Sequence, residues 1–355
     1  MNLYQTKTKF NCGIDLHSQN MYLCVMDKEG NKLVHKNIKV GERVKFQEML
    51  SPYKNDLTVA CESTFNWYVL SDLCEETGIP FVLGHAFYMK AIHDAKVKND
   101  KIDSATIATL LRSNMLPTGY VCRRETRSIR DLLRRRQYFV RERAALEAHL
   151  SMTNYMHNMT ESRKELKRKK NRLENYFEKL PPDIGVKMST QADIYMIEQY
   201  DKVIKGVETT VLAHAKKFDN ELLELLQTIP GLGKIIGLGI LYEVDDFSRF
   251  ADCKHFVSYC RLVTPTHESG GKIVGKGNSN NGNSCLKLLF SELNATSRSH
   301  NPEMNALAQR LVKKHGRRKG TCIYCHKLGR AVYKVATERI PFNMEKFMGG
   351  PLKKS

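Results

Sequence analysis

A chain of 355 residues, 41% hydrophobic and 27% charged, is long enough for two or three cored domains and too apolar to remain disordered. Its formal net charge of +19 makes a polyanion the natural partner, so nucleic acid is the first class of ligand to consider. An anionic membrane surface would attract the same charge, but no apolar run nears the ~20 residues of a spanning helix, Met1–Lys7 holds no apolar signal core, and the ten cysteines are therefore expected as reduced thiols in a cytoplasmic protein.

Phe10–Leu16 and Met21–Met26 are short apolar runs joined by the polar His17-Ser18-Gln19-Asn20, and the turn Asp27-Lys28-Glu29-Gly30-Asn31 leads to a third run, Lys32–Val40. The pattern predicts a three-stranded meander. There follow a helix over Arg43–Leu50, a strand over Leu57–Cys61, a helix over Phe65–Thr77, a strand over Pro80–Leu83, and helical sequence near Ala86 and over Lys101–Ser113. Three strands and then helix, strand, helix, strand, helix is the order of an α/β RNase H-like domain, assigned to residues 1–122. From 123 to 218 glycine nearly vanishes, and Ile129, Leu132, Leu133, Leu146 and Leu150 recur at helical spacing, which predicts a long helical hairpin or coiled-coil insert. It carries Arg134-Arg135-Arg136 and Lys167-Arg168-Lys169-Lys170, either solvated helix faces or phosphate contacts; their number in so basic a chain favours the second. A third region, 219–345, is helical again but broken by glycine-rich loops at Pro230–Gly239 and Ser269–Asn283, and 346–355 reads as a frayed tail.

Asp15 closes the first predicted strand, Glu62 ends the fourth, and Asp100 and Asp103 stand three apart at a helix start, where they share a face. Four carboxylates at one end of a sheet repel unless a cation such as Mg2+ joins them, and a pair of such ions would clamp the attacking and leaving oxygens of a phosphodiester. Taken singly, each acid is an ordinary exposed residue; the set is what carries information. Thr228–Lys234, with Gly231, Gly233 and Lys234, has the form of a helix-hairpin-helix, whose N–H groups at a helix start bind phosphate without reading bases; the plain alternative is a helix-helix corner. In His267-Glu268-Ser269-Gly270-Gly271-Lys272 the serine is sterically open beside glycines, with Lys272 and Lys276 available to a developing phosphorane charge, although spacing alone leaves it an ordinary loop serine. Cys322-Ile323-Tyr324-Cys325-His326 has the look of half a zinc site or a haem attachment point, but it lacks a second ligand pair and an export signal, so a reduced pair on a basic helix is expected.

Three N-terminal motifs, Gly13-Ile14-Asp15-Leu16-His17-Ser18, Cys61-Glu62-Ser63 and Lys98-Asn99-Asp100-Lys101-Ile102-Asp103, precede a longer C-terminal series: Ile229–Gly233, Phe256–Val263, Glu268–Lys272, Gly282-Asn283 and Leu286-Lys287. On these residues and their order the chain resembles the bacterial insertion-sequence transposases with a RuvC-like DEDD domain, a family that includes the Piv-type site-specific invertases. The resemblance implies a mainly α C-terminal transposase domain, with Asp15, Glu62, Asp100 and Asp103 as ligands of Mg2+, for which Mn2+ would substitute. It further implies that Ser269 is a nucleophile forming a covalent phosphoserine link with DNA, a link that conserves bond energy for religation without ATP. Target and donor DNA are then selected by pairing with a structured non-coding guide RNA, and homodimers pair into a tetramer in the nucleoid-associated cytoplasm, with the helical insert serving assembly and RNA contact and no membrane partner. One departure is Asn280-Asn281, where a basic residue is expected before Gly282-Asn283, so phosphate contact there falls to Lys276 or Lys287. Two other readings stand beside this one: a metal-dependent, junction-resolvase-like nuclease in which water attacks and Ser269 is incidental, and a non-catalytic basic scaffold for RNA or DNA. The extended motif around Ser269 speaks against the first and the four placed acids against the second.

Overall fold

Apolar and polar residues alternate along Phe10–Leu16 so that Cys12, Ile14 and Leu16 point one way while Gly13 and Asp15 point the other, the period of a strand packed on both faces. In a computed structural model, which describes residues 2–92, 99–158, 180–215, 219–263, 266–270, 272–276 and 281–349, this segment is β1 at the centre of a five-stranded sheet. The chain forms two compact units, Met1–Arg124 and Glu125–Ser355.

In the first unit β1 (Phe10–Leu16), β2 (Asn20–Met26) and β3 (Lys32–Lys39) make the meander, followed by α1 (Arg43–Leu50), β4 (Leu57–Glu62), α2 (Trp67–Thr77), β5 (Phe81–Gly84), α3 (Ala86–Ile92) and α4 (Asp100–Arg112). The sheet order is β3-β2-β1-β4-β5; β1 pairs antiparallel with β2 and parallel with β4, giving the mixed five-stranded sheet that an RNase H-like reading requires. One face buries Cys12, Ile14, Val59 and Cys61 under Phe46 and Leu50 of α1 and Leu70 and Leu73 of α2. The other buries Ala60 and Val82 under Ile107, Leu110 and Leu111 of α4. Helix α2 begins at Trp67 rather than at Phe65, because Phe65 is 83% exposed and Asn66 donates its side-chain amide to the His17 carbonyl, 2.7 Å away, instead of continuing a helix.

In the second unit α5 (Arg124–Met156) and α6 (Ile184–His214) are 33 and 31 residues long. They pack antiparallel, since Arg136 meets Glu208, Arg143 meets Asp201 and His149 meets Asp193, with partner numbers falling as α5 advances. Beyond them come α7 (Asn220–Gln227), α8 (Lys234–Val244), α9 (Cys253–Tyr259), a hairpin of β6 (Thr266–Ser269) and β7 (Lys272–Lys276), then α10 (Ser284–His300), α11 (Pro302–His315), α12 (Arg317–Glu338) and α13 (Met344–Met348). Helix α8 is buried on every side from Ile236 to Val244, which makes it the axis of this core. Cys322 and Cys325 lie on α12, their thiols against the carbonyls of Leu262 and Phe290 at 3.6 and 3.9 Å. Among the described residues, no helix is long and apolar enough to cross a membrane.

Candidate active site

Helix α4 lies directly on β1. A Cβ at Gly13 would fall 2.2 Å from the Ala108 backbone nitrogen and 2.3 Å from the Ser104 carbonyl oxygen, so only glycine lets the two backbones approach this closely. Asp15 is two residues further along the same face of β1, and Asp100 and Asp103 occupy the first turn of α4, which Asn99 caps by accepting from the Lys101 N–H at 3.0 Å. The close contact at Gly13 thus delivers the helix start to the strand end.

Asp15 is 14% exposed, and His17, on the next outward position of the chain, reaches back so that its Nε2 lies 3.1 Å from Asp15 Oδ2 and 3.4 Å from Asp100 Oδ1. A carboxylate only accepts, so this ring nitrogen donates to Asp15. One ligand atom each from Asp15, His17 and Asp100 fit within 4.8 Å of one another; no other such group of three occurs among the described residues. Burial pushes the Asp15 carboxyl above its ordinary range; His17 pulls it down, while Asp103 and Asp100 push it up again. Glu62 ends β4, one position beyond the parallel Ile14–Cys61 pair and therefore next to Asp15 on the neighbouring strand. Of the four acids named from sequence, Asp15 and Asp100 meet at His17, Asp103 is close enough to raise the Asp15 carboxyl, and Glu62 is placed by strand register alone; His17 was not among the residues named from sequence. The Asp-x-His spacing at the end of a strand, which returns a side chain to the same face, was the available signal.

A raised folded-state pKa contributes stability below the unfolded carboxylate range, and that stability is lost as pH rises through the folded value. Asp15→Asn is therefore expected to raise the Tm of metal-free protein at pH 7.5 by about 1–2 °C, with the gain vanishing near pH ~4. Calorimetry in EDTA at both pH values measures it, and an equal difference at the two would contradict the assignment of the shift to Asp15.

In the second unit Ser269 is the last residue of β6 and pairs with Lys272, so it sits at the tip of the hairpin, where Gly270 turns with φ 57°. Lys276 pairs with Thr266 at the opposite, open end. The hairpin returns to Gly282, whose carbonyl accepts from Arg261 Nε at 2.9 Å, and to Asn283, which caps α10 by accepting from the Leu286 N–H. Lys287 is exposed on the first turn of α10.

The Thr228–Lys234 segment is a tight corner between α7 and α8. At Gly231, with φ 81°, a Cβ would fall 2.4 Å from the Ser297 backbone nitrogen, so this part of the corner rests on α10. Gly233 meets nothing within 4 Å and Lys234 is exposed, which leaves that side of the corner accessible.

The arginine cluster divides by helix face. Arg134 turns inward to Glu243, with Nε and Nη2 at 2.5 and 2.9 Å from its two oxygens, and Arg136 bonds Glu208 at 2.7 Å and Glu292 at 3.4 Å. Arg135 is exposed, its guanidinium 4.6 Å from the ring centre of Tyr138. Lys167 and Arg168 lie outside the described residues.

Two family models match the chain, one in each half. A model described as a DEDD-type IS110 transposase matches residues 12–156, which contain all four acids. A second, described as transposase of the IS116/IS110/IS902 family, matches residues 223–309, which contain Ser269. The transposase for insertion sequence element IS1111A of Coxiella burnetii is 25% identical over 289 residues, 78% of this chain and 75% of the relative. That for element IS1328 of Yersinia enterocolitica is 22% identical over 343 residues, 93% of this chain and 98% of the relative. With the acidic end of a mixed sheet in its first half and both matches in chain order, the protein belongs to the IS110 family of RuvC-like insertion-sequence transposases.

Proposed function

We propose that this DNA transposase cuts and rejoins DNA through a serine ester, using the carboxylates of its first unit as a divalent-cation site and Ser269 of its second as the nucleophile. The observation that carries the reading is the meeting of Asp15 and Asp100 beside His17, with donor atoms within 4.8 Å. The two carboxylates, with Glu62 and Asp103 at adjoining positions, are an oxygen donor set suited to Mg2+ or Mn2+, and a cation would offset the repulsion that Asp103 and Asp100 add to the burial of Asp15. A bound cation would neutralise negative charge gathering on the reacting phosphate.

The Ser269 hydroxyl attacks a backbone phosphorus; the bond from phosphorus to the leaving sugar oxygen breaks, and the serine proton ends on that oxygen. The phosphoserine diester is then attacked by the hydroxyl of a second strand, which restores the serine and joins the new pair without ATP. Lys272, opposite Ser269 in the hairpin, stabilises charge at the phosphate, and Lys276, at the hairpin's open end, holds the DNA backbone. Gly233 and Lys234 at the start of α8, the neighbouring Gly231 as in a helix-hairpin-helix, and Lys287 and Arg135 hold the DNA backbone, as do Lys167 and Arg168. A structured guide RNA chooses target and donor DNA, and α5 and α6, as a coiled-coil element, join homodimers into a tetramer in the cytoplasm.

Strand cutting of DNA carrying the element ends, in Mg2+ or Mn2+, tests the cation site. Asp15→Asn and Asp100→Asn are expected to lower the rate by about 10³-fold or more, as removal of a metal ligand does. Unchanged cutting by both variants, or full activity in EDTA, would remove the carboxylates from the chemistry.

A further inference from the structure

On the α4 side of the sheet, a half-open groove of about 290 Å³ runs along α4 between that helix and the edge strand β3. It is lined chiefly by Met26, Leu110 and Ala105, and by Lys32, His35 and Lys101. Met26 and Leu110 are buried and give it an apolar floor; Lys32 and Lys101 are exposed and give it a cationic rim. His35 fixes one wall, because its Nε2 lies 2.9 Å from the Lys101 carbonyl and its ring stands edge-on to Tyr22 with centroids 5.2 Å apart. Burial, then the charges of Lys32 and Lys101, hold His35 below the usual histidine range, against the pull of its bond to that carbonyl, so the ring is neutral at physiological pH.

Place and size both restrict the occupant. Lys101 directly follows Asp100 in the first turn of α4, so the groove begins at the acidic cluster; it runs along α4 to Leu110, and its floor lies towards the other end of the sheet, where Met26 pairs with Asn11. A strand drawn to that cluster meets repulsion from its carboxylates, and the exposed lysines of the groove's rim offer compensating positive charge. A volume of about 290 Å³ is at the lower edge of the roughly 300–1,000 Å³ usual for small-molecule sites, enough for one heterocycle and too small for a base pair. Apolar floor plus cationic rim is the chemistry of a single nucleotide, base inward and phosphate outward.

We propose that this groove seats one unpaired nucleotide of the DNA strand bound at the carboxylates, its base on Met26 and Leu110 and its phosphate on Lys32 and Lys101. The proposal rests on the reading of the carboxylates as a DNA-cutting centre. It adds that the substrate is distorted next to that centre, and since an unpaired nucleotide is the cheapest to turn out of a stack, DNA already unpaired there binds best.

The test uses the full chain and three labelled probes of one sequence: a duplex with one unpaired nucleotide, the fully paired duplex and the single strand, with free deoxynucleoside monophosphate as competitor. The native protein is expected to bind the bulged duplex about tenfold more tightly than the paired one. Lys32→Ala with Lys101→Ala is expected to erase most of that preference and to reduce the slope of log affinity against log salt by about 0.7–0.9, the share of one phosphate. Ala105→Phe, which fills the groove, is expected to erase the preference while leaving the salt slope near native. Competition by the free monophosphate at micromolar levels would assign the groove to a free nucleotide and overturn the proposal. So would equal preference in native and double-lysine protein, a surface pair whose loss leaves folding intact. Metal-dependent cutting, lost in Asp15→Asn, is scored in parallel: if it persists while the groove variants keep the native preference, the subsite alone falls. If native protein neither binds nor cuts any probe, the reading of the carboxylates falls with it.

Discussion

Replacing Glu243 by alanine is expected to destabilise the unit Glu125–Ser355 by about 3–5 kcal/mol, the cost of stripping a buried ion pair of one partner. Glu243 is the one acid in the buried stretch of α8, and its side chain is 2% exposed. It accepts from Arg134 at 2.5 and 2.9 Å and from Asn283 Nδ2 at 2.7 Å, and Arg130 Nη2 lies 3.4 Å away. Truncation leaves two guanidinium groups without this counter-charge and frees the residue that caps α10. Burial pushes the Glu243 carboxyl up, but Arg134, Arg130 and Asn283 outweigh it and hold it below the usual glutamate range. A depressed folded-state pKa contributes stability above the unfolded value, and that stability is lost as pH falls through the folded one. The isosteric Glu243→Gln should therefore be less stable than native at pH 7, and the two should draw together below about pH 4. Urea unfolding at the two pH values measures both effects; a Glu243→Ala protein within ~1 kcal/mol of native would mean that the network is not holding this core.

Gly13→Ala is the second large effect, and it bears on the carboxylates directly. The atoms a methyl group would overlap are backbone atoms of α4, which cannot rotate away, so either β1 or the helix must shift. We expect a loss of about 2–4 kcal/mol from overpacking, together with displacement of the helix start that carries Asp100 and Asp103. Mn2+ affinity, read by paramagnetic relaxation, should fall at least about tenfold, since misplacing a ligand by ~1 Å defeats a preorganised site. Gly41→Ala is the control: nothing lies within 4 Å of its added carbon, and it should change neither quantity. Native Mn2+ affinity in folded Gly13→Ala would separate the close contact from the metal site.

What the sequence made legible was mostly what neighbours in sequence determine. Short apolar runs bounded by polar turns, such as Phe10–Leu16 and Met21–Met26, and the helical run after Asn99, placed the five strands in order and left Asp15, Glu62, Asp100 and Asp103 at element ends. Pairings across long separations were not legible. Arg134 and Arg136 read as a phosphate-facing patch because their partners Glu243, Glu208 and Glu292 lie 109, 72 and 156 residues away, and only packing of α5 against α6, α8 and α10 turns them inward. His17 read as part of a polar turn because Asp100 comes near it only once α4 settles on Gly13. The groove beside β3 had no sequence signal at all, since Lys32, His35 and Lys101 are unremarkable singly and meet only across the edge of the sheet.

Ser269 and the carboxylates are expected to act in one reaction. The most direct measurement is recovery of a denaturation-resistant protein–DNA adduct from purified protein incubated with Mg2+, guide RNA and DNA carrying the element ends, followed by mapping of the modified residue. An adduct on Ser269 that is absent from Ser269→Ala and from Asp15→Asn is the predicted result. Metal-dependent cutting at the native rate by Ser269→Ala, with no adduct in any sample, would contradict it and leave a nuclease that uses water.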